Sequence, residues 1–180
     1  LYLKPDMASL STGSVNFPTI VYENAPALVT DLATRMKEND IRPEIEIFDL
    51  SHIHGARRLI DEGLMSSRPH VQFVMGVKNA MPADERLLDI LKRKGVHATF
   101  FVVGQNANAY PEILRRIRDE GHTIGNHSYS HPDMARQTDG TIAAQMDKTD
   151  AALTEQGGIT PRWMRPPYGS YDSRVAAAAG

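Results

Sequence analysis

Short, mostly apolar runs recur along the chain: MASL at 7–10, EIEIFDL at 44–50, HVQFVMGV at 70–77, VHATFFVVG at 96–104, HTIGNH at 122–127 and RWMRPP at 162–167. Each has the length and bulk of a β-strand. Within EIEIFDL, Glu44, Glu46 and Phe48 fall on one face and Ile45 and Ile47 on the other. HVQFVMGV shows little alternation, which predicts a strand covered on both sides. Between the runs the period changes to that of a helix. Leu28, Leu32 and Met36 recur every four residues and predict one apolar face of a helix ending near Asn39, with Asn24 as N-cap and Pro26 in the first turn. SHIHGARRLIDEG predicts a helix stopped by Gly63. ADERLLDILKRK at 83–94 has acids in its first turn, bases in its last and Gly95 as its stop. Pro111 opens PEILRRIRDE, which Gly121 ends; a further helix runs from about Thr141 to Glu155, and SRVAAAA opens a last one.

Strand and helix thus alternate about six times with short connections. This predicts an α/β fold with a parallel sheet, either doubly wound or a (β/α) barrel that is incomplete at about six β/α units. In both architectures functional residues gather beyond the C-terminal ends of the strands. The loops STGSVNF, DLSH, KNAMP, GQNAN, HSYSH and PPYGS lie there.

Composition narrows the chemistry. The 180 residues suffice for one sizeable core, and no internal repeat or low-complexity linker divides them. A formal net charge of -2 gives no basic footprint for nucleic acid. The absence of cysteine excludes disulfides, thiolate metal sites and a cysteine nucleophile, and leaves the compartment open. No apolar run is long enough to span a membrane, and no signal peptide is visible. The chain opens at Leu1 and closes at Gly180 after an AAAA run, so both ends read as cut.

Two stretches carry the candidate chemistry. HTIGNHSYSH places His127 and His131 four residues apart at the end of a buried strand. Imidazoles at that spacing can share a divalent metal; paired surface histidines are the competing reading. Ser128 between them is placed to fix an imidazole tautomer. RPPYG at 165–169 is either a stiff structural turn or a functional loop in which Arg165 orients a carboxylate and a backbone N–H near Tyr168 stabilises an oxyanion.

From about residue 84 to 180 the chain resembles the polysaccharide deacetylases of the NodB-homology family, through LLDILKRKGVHATFFVVG, PEILRRIRDEGHTIGNHSYSH and MRPPYGSYDSRV. The resemblance implies a distorted (β/α) barrel, a metal (usually zinc) held by two histidines and an aspartate, and hydrolysis of N-acetyl or O-acetyl groups on a glycan. Relatives of this kind are often exported. By position His127 and His131 become metal ligands and Ser128 a loop-stabilising partner. Arg165 orients the catalytic base, Tyr168 supplies the oxyanion N–H and Pro167 shapes the groove. The metal would polarise the acetyl carbonyl and activate a water. The family's first motif, an Asp-Asp pair, is replaced here by GVKNAMP, with Lys78 and Asn79 where carboxylates belong. Asp84 and Glu85 follow and read as first-turn helix acids. The late motifs, including the general-acid histidine, would fall beyond Gly180. The expected outcome is weak zinc binding and impaired activity.

Residues 1–83 resemble a different family, the β-keto acid cleavage enzymes, through PDMASLSTGSVNFP, PEIEIFDLSHIHGARRLIDEG and HVQFVMGVKNAMP. That resemblance implies a zinc-dependent (β/α)8 barrel using acetyl-CoA. Its ligand pair, an early HxH, and its late glutamate lie outside this segment. His52 and His54 form an HxH at a helix start, where local hydrogen bonding is the expected role. Thr12 and Glu46 are the candidate inward-facing polar groups, Glu46 alternatively a structural acid of the barrel interior. The chain therefore reads as a splice of two barrel segments, 1–83 and 84–180, packed as one domain. Its expected partners are an acetylated glycan, and other copies of itself through open sheet edges.

Overall fold

The structure is a computed structural model and describes residues 5–76, 79–80, 84–95 and 97–179. The chain forms two compact units, residues 1–84 and 85–180. Lys78 and most of the AMPA stretch that follows Asn79 lie outside the described residues.

In the first unit, β1 (Met7–Ser11), β4 (Arg42–Ile47) and β5 (His70–Phe73) form a three-stranded parallel sheet in the order β1-β4-β5. The STGSVNF stretch, expected as a loop, pairs instead with the segment after it: β2 (Val15–Asn16) and β3 (Val21–Tyr22) make a short antiparallel hairpin. Phe17, Tyr22 and Phe48 pack their rings together there. Helices α1 (Pro26–Glu38) and α2 (Leu50–Asp61) cover the β1–β4 part of the sheet. The core between them holds Leu10, Val29, Ala33, Met36, Ile41, Ile45, Ile47, Ala56 and Leu59.

The apolar stripe of α1 is displaced from the expected one. Val29, Ala33 and Met36 face the core, while Leu28 and Leu32 are exposed. Val29, Ala33 and Met36 follow the i, i+4, i+7 path of a 3.6-residue helix, whereas a strict spacing of four drifts around the cylinder. The N-cap is Ala25, not Asn24, whose backbone N–H is engaged by Ser14 Oγ at 2.8 Å. Strand β5 is not covered on both sides as expected: Val71 and Phe73 are exposed, because β5 is a terminal strand and α1 and α2 lie over β1 and β4.

The second unit pairs β6 (Thr99–Val102) with β7 (Thr123–Asn126) in parallel. The sixth expected strand contributes one parallel bridge, Asn126 to Met164. Prolines at 161, 166 and 167 bracket it and deny it further N–H donors. The helices are α3 (Arg86–Lys94), α4 (Gly104–Ala109), α5 (Pro111–Asp119), α6 (Asp139–Gly157) and α7 (Ser173–Ala178). GQNAN is thus the short helix α4, not a loop. Two apolar clusters support this unit. Leu88, Ala107, Leu114, Ile117, Ile124, Ala152 and Leu153 form one, and Met134, Ile142, Met146 and Val175 the other. Asp84 precedes α3 and Glu85 is its N-cap, so neither sits inside the first turn.

Both units are α/β with parallel strands among the described residues: three strands in the first, and two strands plus the Met164 bridge in the second. In the second unit β6, β7 and the Met164 bridge all end at one edge, where HSYSH and PPYG begin.

Candidate metal centre at the end of strand β7

The strand ladder fixes where the histidines start. His127 N–H donates to the Val102 carbonyl at 3.1 Å, and Arg165 N–H donates to the Asn126 carbonyl at 3.0 Å. His127 is thereby held between the ends of β6 and the Met164 segment. Its Nδ1 lies 2.7 Å from the Arg165 carbonyl oxygen. A carbonyl can only accept, so Nδ1 carries the proton and Nε2 presents a bare lone pair. Ser128, expected to hold an imidazole tautomer, does something else. Its Oγ accepts the backbone N–H of His131 at 3.1 Å, and the tautomer is set by Arg165.

The chain then turns back through left-handed backbone at Ser128 (φ 62°) and His131 (φ 60°). This brings the two Nε2 atoms to 3.2 Å and the rings to 4.8 Å between centroids. Burial holds both imidazoles below the ordinary histidine pKa. At His127 the charges of His131 and Arg165 act in the same direction, and the Arg165 carbonyl opposes them. Neutral imidazoles are the form that binds a metal.

The pair fits a divalent cation in donor chemistry. Two nitrogens each ~2.0–2.1 Å from one tetrahedral zinc stand about 3.3 Å apart. It falls short in donor number: among the described residues, no group of three or more His, Cys, Asp or Glu side chains converges on one point.

The other expected site residues divide. Tyr168 also has left-handed backbone (φ 58°), and its exposed ring stands edge-on to His131 at 4.8 Å. Pro167 is buried beneath the turn. The Arg165 guanidinium lies over the Phe101 ring at 5.1 Å. The second unit thus brings Ser128, Arg165, Pro167 and Tyr168 around the two histidines.

Thr12 and Glu46 belong to the first unit. Thr12 is buried and its hydroxyl donates to the His52 carbonyl at 2.7 Å, so its one donor pins the start of α2. Glu46 sits opposite Ser11 and Gln72 in the sheet, on a polar face that also carries Ser9, Glu44 and His70. His52 is buried with both ring nitrogens engaged, Nδ1 by Phe48 N–H at 3.3 Å and Nε2 by the Ser14 carbonyl at 3.2 Å. His54 is exposed. This HxH therefore serves local hydrogen bonding.

Three side chains around the loop, those of Asn126, Gln145 and Asp150, escaped the sequence reading. Asn126 Oδ1 accepts Ser128 N–H at 2.8 Å, while its Nδ2 donates to the Met146 carbonyl at 3.1 Å and to Asp150 Oδ1 at 2.7 Å. Gln145 Oε1 accepts the N–H groups of Tyr129 and Ser130 at 2.8 and 2.9 Å. The signal was present in α6. Gln145 borders the stripe Ile142, Met146, Thr149 and Leu153, which recurs at helical spacing.

Two family models match the chain: "Polysaccharide deacetylase" over residues 78–180 and "beta-keto acid cleavage enzyme" over residues 1–123. The chain belongs to both families. The curated 3-oxoadipate:acetyl-CoA acetyltransferase of Cupriavidus necator is 58% identical over 88 residues, covering 49% of this chain and 31% of that protein. The peptidoglycan-N-acetylglucosamine deacetylase of Bacillus cereus is 46% identical over 84 residues, covering 47% of this chain and 30% of that protein. Among solved structures, a CE4 family pseudoenzyme from Bacillus anthracis is 35% identical with a TM-score of 0.51, covering 52% of this chain and 34% of that one. The match thus spans about a third of each relative's own length.

Proposed function

We propose that the polysaccharide deacetylase segment is a weak divalent-metal site of the glycan deacetylase type, impaired as a catalyst. The observation that carries this reading is the pair of Nε2 atoms, 3.2 Å apart, with His127 Nδ1 tied to the Arg165 carbonyl. His127 and His131 would hold the cation, with water completing its shell. Bound there, a zinc ion supplies a Lewis acid for an acetyl carbonyl and lowers the pKa of a bound water. The chain's own contributions are positional. Arg165 fixes the His127 ring through its carbonyl, and Pro167 and Tyr168 shape the turn facing His131. The substrate class is an N-acetylated or O-acetylated glycan; the Bacillus cereus relative is named for deacetylation of peptidoglycan N-acetylglucosamine.

Impairment follows from the residue types in GVKNAMP. Lysine and asparagine cannot replace the third carboxylate ligand or the carboxylate base that the family resemblance requires. Membership does not by itself entail catalysis, since one structural relative is described as a pseudoenzyme. The test is acetate release from an acetylated chito-oligosaccharide with zinc present. Release no higher than a metal-free blank is expected; release clearly above it contradicts the impairment.

A second reading rests on the 58% identity of the other segment to an acetyl-CoA-dependent enzyme. On that reading residues 1–83 retain a fragment of a β-keto acid cleavage barrel, with Thr12 and Glu46 on its polar side. It predicts acetyl-CoA binding, and a flat acetyl-CoA titration removes it. If zinc and acetyl-CoA both fail to bind, the chain is an inactive splice of two barrel segments.

A further inference from the structure

The HSYSH loop takes left-handed backbone at Ser128 and His131, and neither is a glycine. Such backbone persists in β-substituted residues only when the surroundings over-determine it. One side chain does most of that from outside the loop. The consecutive N–H groups of Tyr129 and Ser130 both point at Gln145 Oε1, at 2.8 and 2.9 Å. Gln145 Nε2 donates to Ser130 Oγ at 3.0 Å. Gln145 is anchored in turn by α6, whose neighbouring residues Ile142, Met146 and Thr149 are buried. The same stretch of helix holds the start of the loop, because the Met146 carbonyl and Asp150 accept from the side-chain Nδ2 of Asn126.

We infer that Gln145 is the positioning residue of the two-histidine site. It touches neither imidazole. By holding Tyr129 and Ser130, the residues between the ligands, it sets how far apart His127 and His131 present their Nε2 atoms. A primary amide suits the task, because its oxygen takes two N–H groups while its nitrogen donates to a hydroxyl. A carboxylate keeps the first function, and the Ser130 hydroxyl can reverse and donate to it. A thioether of similar length keeps neither. The inference rests on the reading of His127 and His131 as a metal pair.

The experiment is zinc titration by calorimetry on the full chain, comparing wild type with Gln145→Met, Gln145→Glu and Leu153→Val. Groups outside the ligand set commonly govern about 10–100-fold in metal affinity. Q145M is expected to lose at least about ten-fold and Q145E to recover most of it. L153V trims a buried core side chain two turns further along the same helix and is expected to lower the melting temperature with zinc affinity unchanged. Wild-type affinity in Q145M overturns the inference, as does an equal loss in L153V. Amide hydrogen exchange at Tyr129 and Ser130, with 15N shifts of the two imidazoles, is recorded without metal. A wild-type chain that binds no zinc refutes the metal reading alone. The metal-free spectra then decide the positioning role: Q145M must deprotect both amides and shift the imidazole signals, and unchanged spectra overturn it.

Discussion

At the scale of single residues, the chain's histidines take different roles through their surroundings. His52 is tied into the backbone at both nitrogens, whereas His127 is tied at Nδ1 and turns Nε2 toward His131. His122 is buried between His97 and Phe100, and its Nδ1 accepts Ala98 N–H at 3.3 Å. Burial, with the charge of His97 next, holds it below the ordinary value of 6.5. The unfolded chain therefore takes up this proton first as pH falls. The stability His122 contributes is complete above the unfolded pKa and is lost as pH drops through the window beneath it. Denaturation from about pH 7.5 to 5.5 should steepen this loss in wild type and show a shallower dependence in His122→Gln. Equal slopes contradict the assignment. The i, i+4 spacing of His127 and His131 was legible in the sequence. The agent that fixes the His127 tautomer was not, because a backbone carbonyl 38 positions away leaves no mark in residue types.

At the scale of elements, the site depends on close approach of α4 and α6 to the loop. Gly104 N–H donates to the Ser128 carbonyl at 3.0 Å. A Cβ on Gly104 would stand 2.6 Å from the Tyr129 ring and 3.1 Å from Thr149 Cα. Gly104→Ala should cost about 1–3 kcal/mol in denaturant unfolding, the usual range for overpacking. It should weaken zinc binding as well, because the displaced loop carries His127 and His131, the proposed ligands. Asp172 caps α7, accepting from Arg174 N–H at 3.0 Å and Val175 N–H at 3.2 Å. Asp172→Ala should cost about 1 kcal/mol by the same measurement, leaving zinc affinity unaltered. Most elements were readable from punctuation: Gly95 and Gly121 stop α3 and α5, and Pro26 and Pro111 open α1 and α5. What was not readable came from tertiary contact. The β2–β3 hairpin depends on Phe17 and Tyr22 meeting Phe48, and which face of α1 is buried depends on the sheet beneath it.

At the scale of the molecule, the chain divides into two compact units at residue 84, while the two family matches overlap over residues 78–123. On the proposed reading, a zinc ion held by His127 and His131 would bind the folded state through residues of the second unit and stabilise it there by mass action. Hydrogen exchange with saturating zinc should slow at β7 and at residues 127–131, leaving the β1-β4-β5 sheet unchanged; uniform slowing contradicts the assignment. Among the described residues β1 and β5 end the sheet of the first unit, and terminal strands offer unpaired backbone to other chains. Light scattering should therefore show a mass that rises with concentration, and a monodisperse monomer would argue otherwise.

The central claim is that His127 and His131 share a divalent cation. Calorimetric titration of zinc into the full chain and into His127→Ala tests it most directly. Weak, saturable binding at one site is expected in wild type, and its loss in the variant. Identical traces for the two proteins would contradict it.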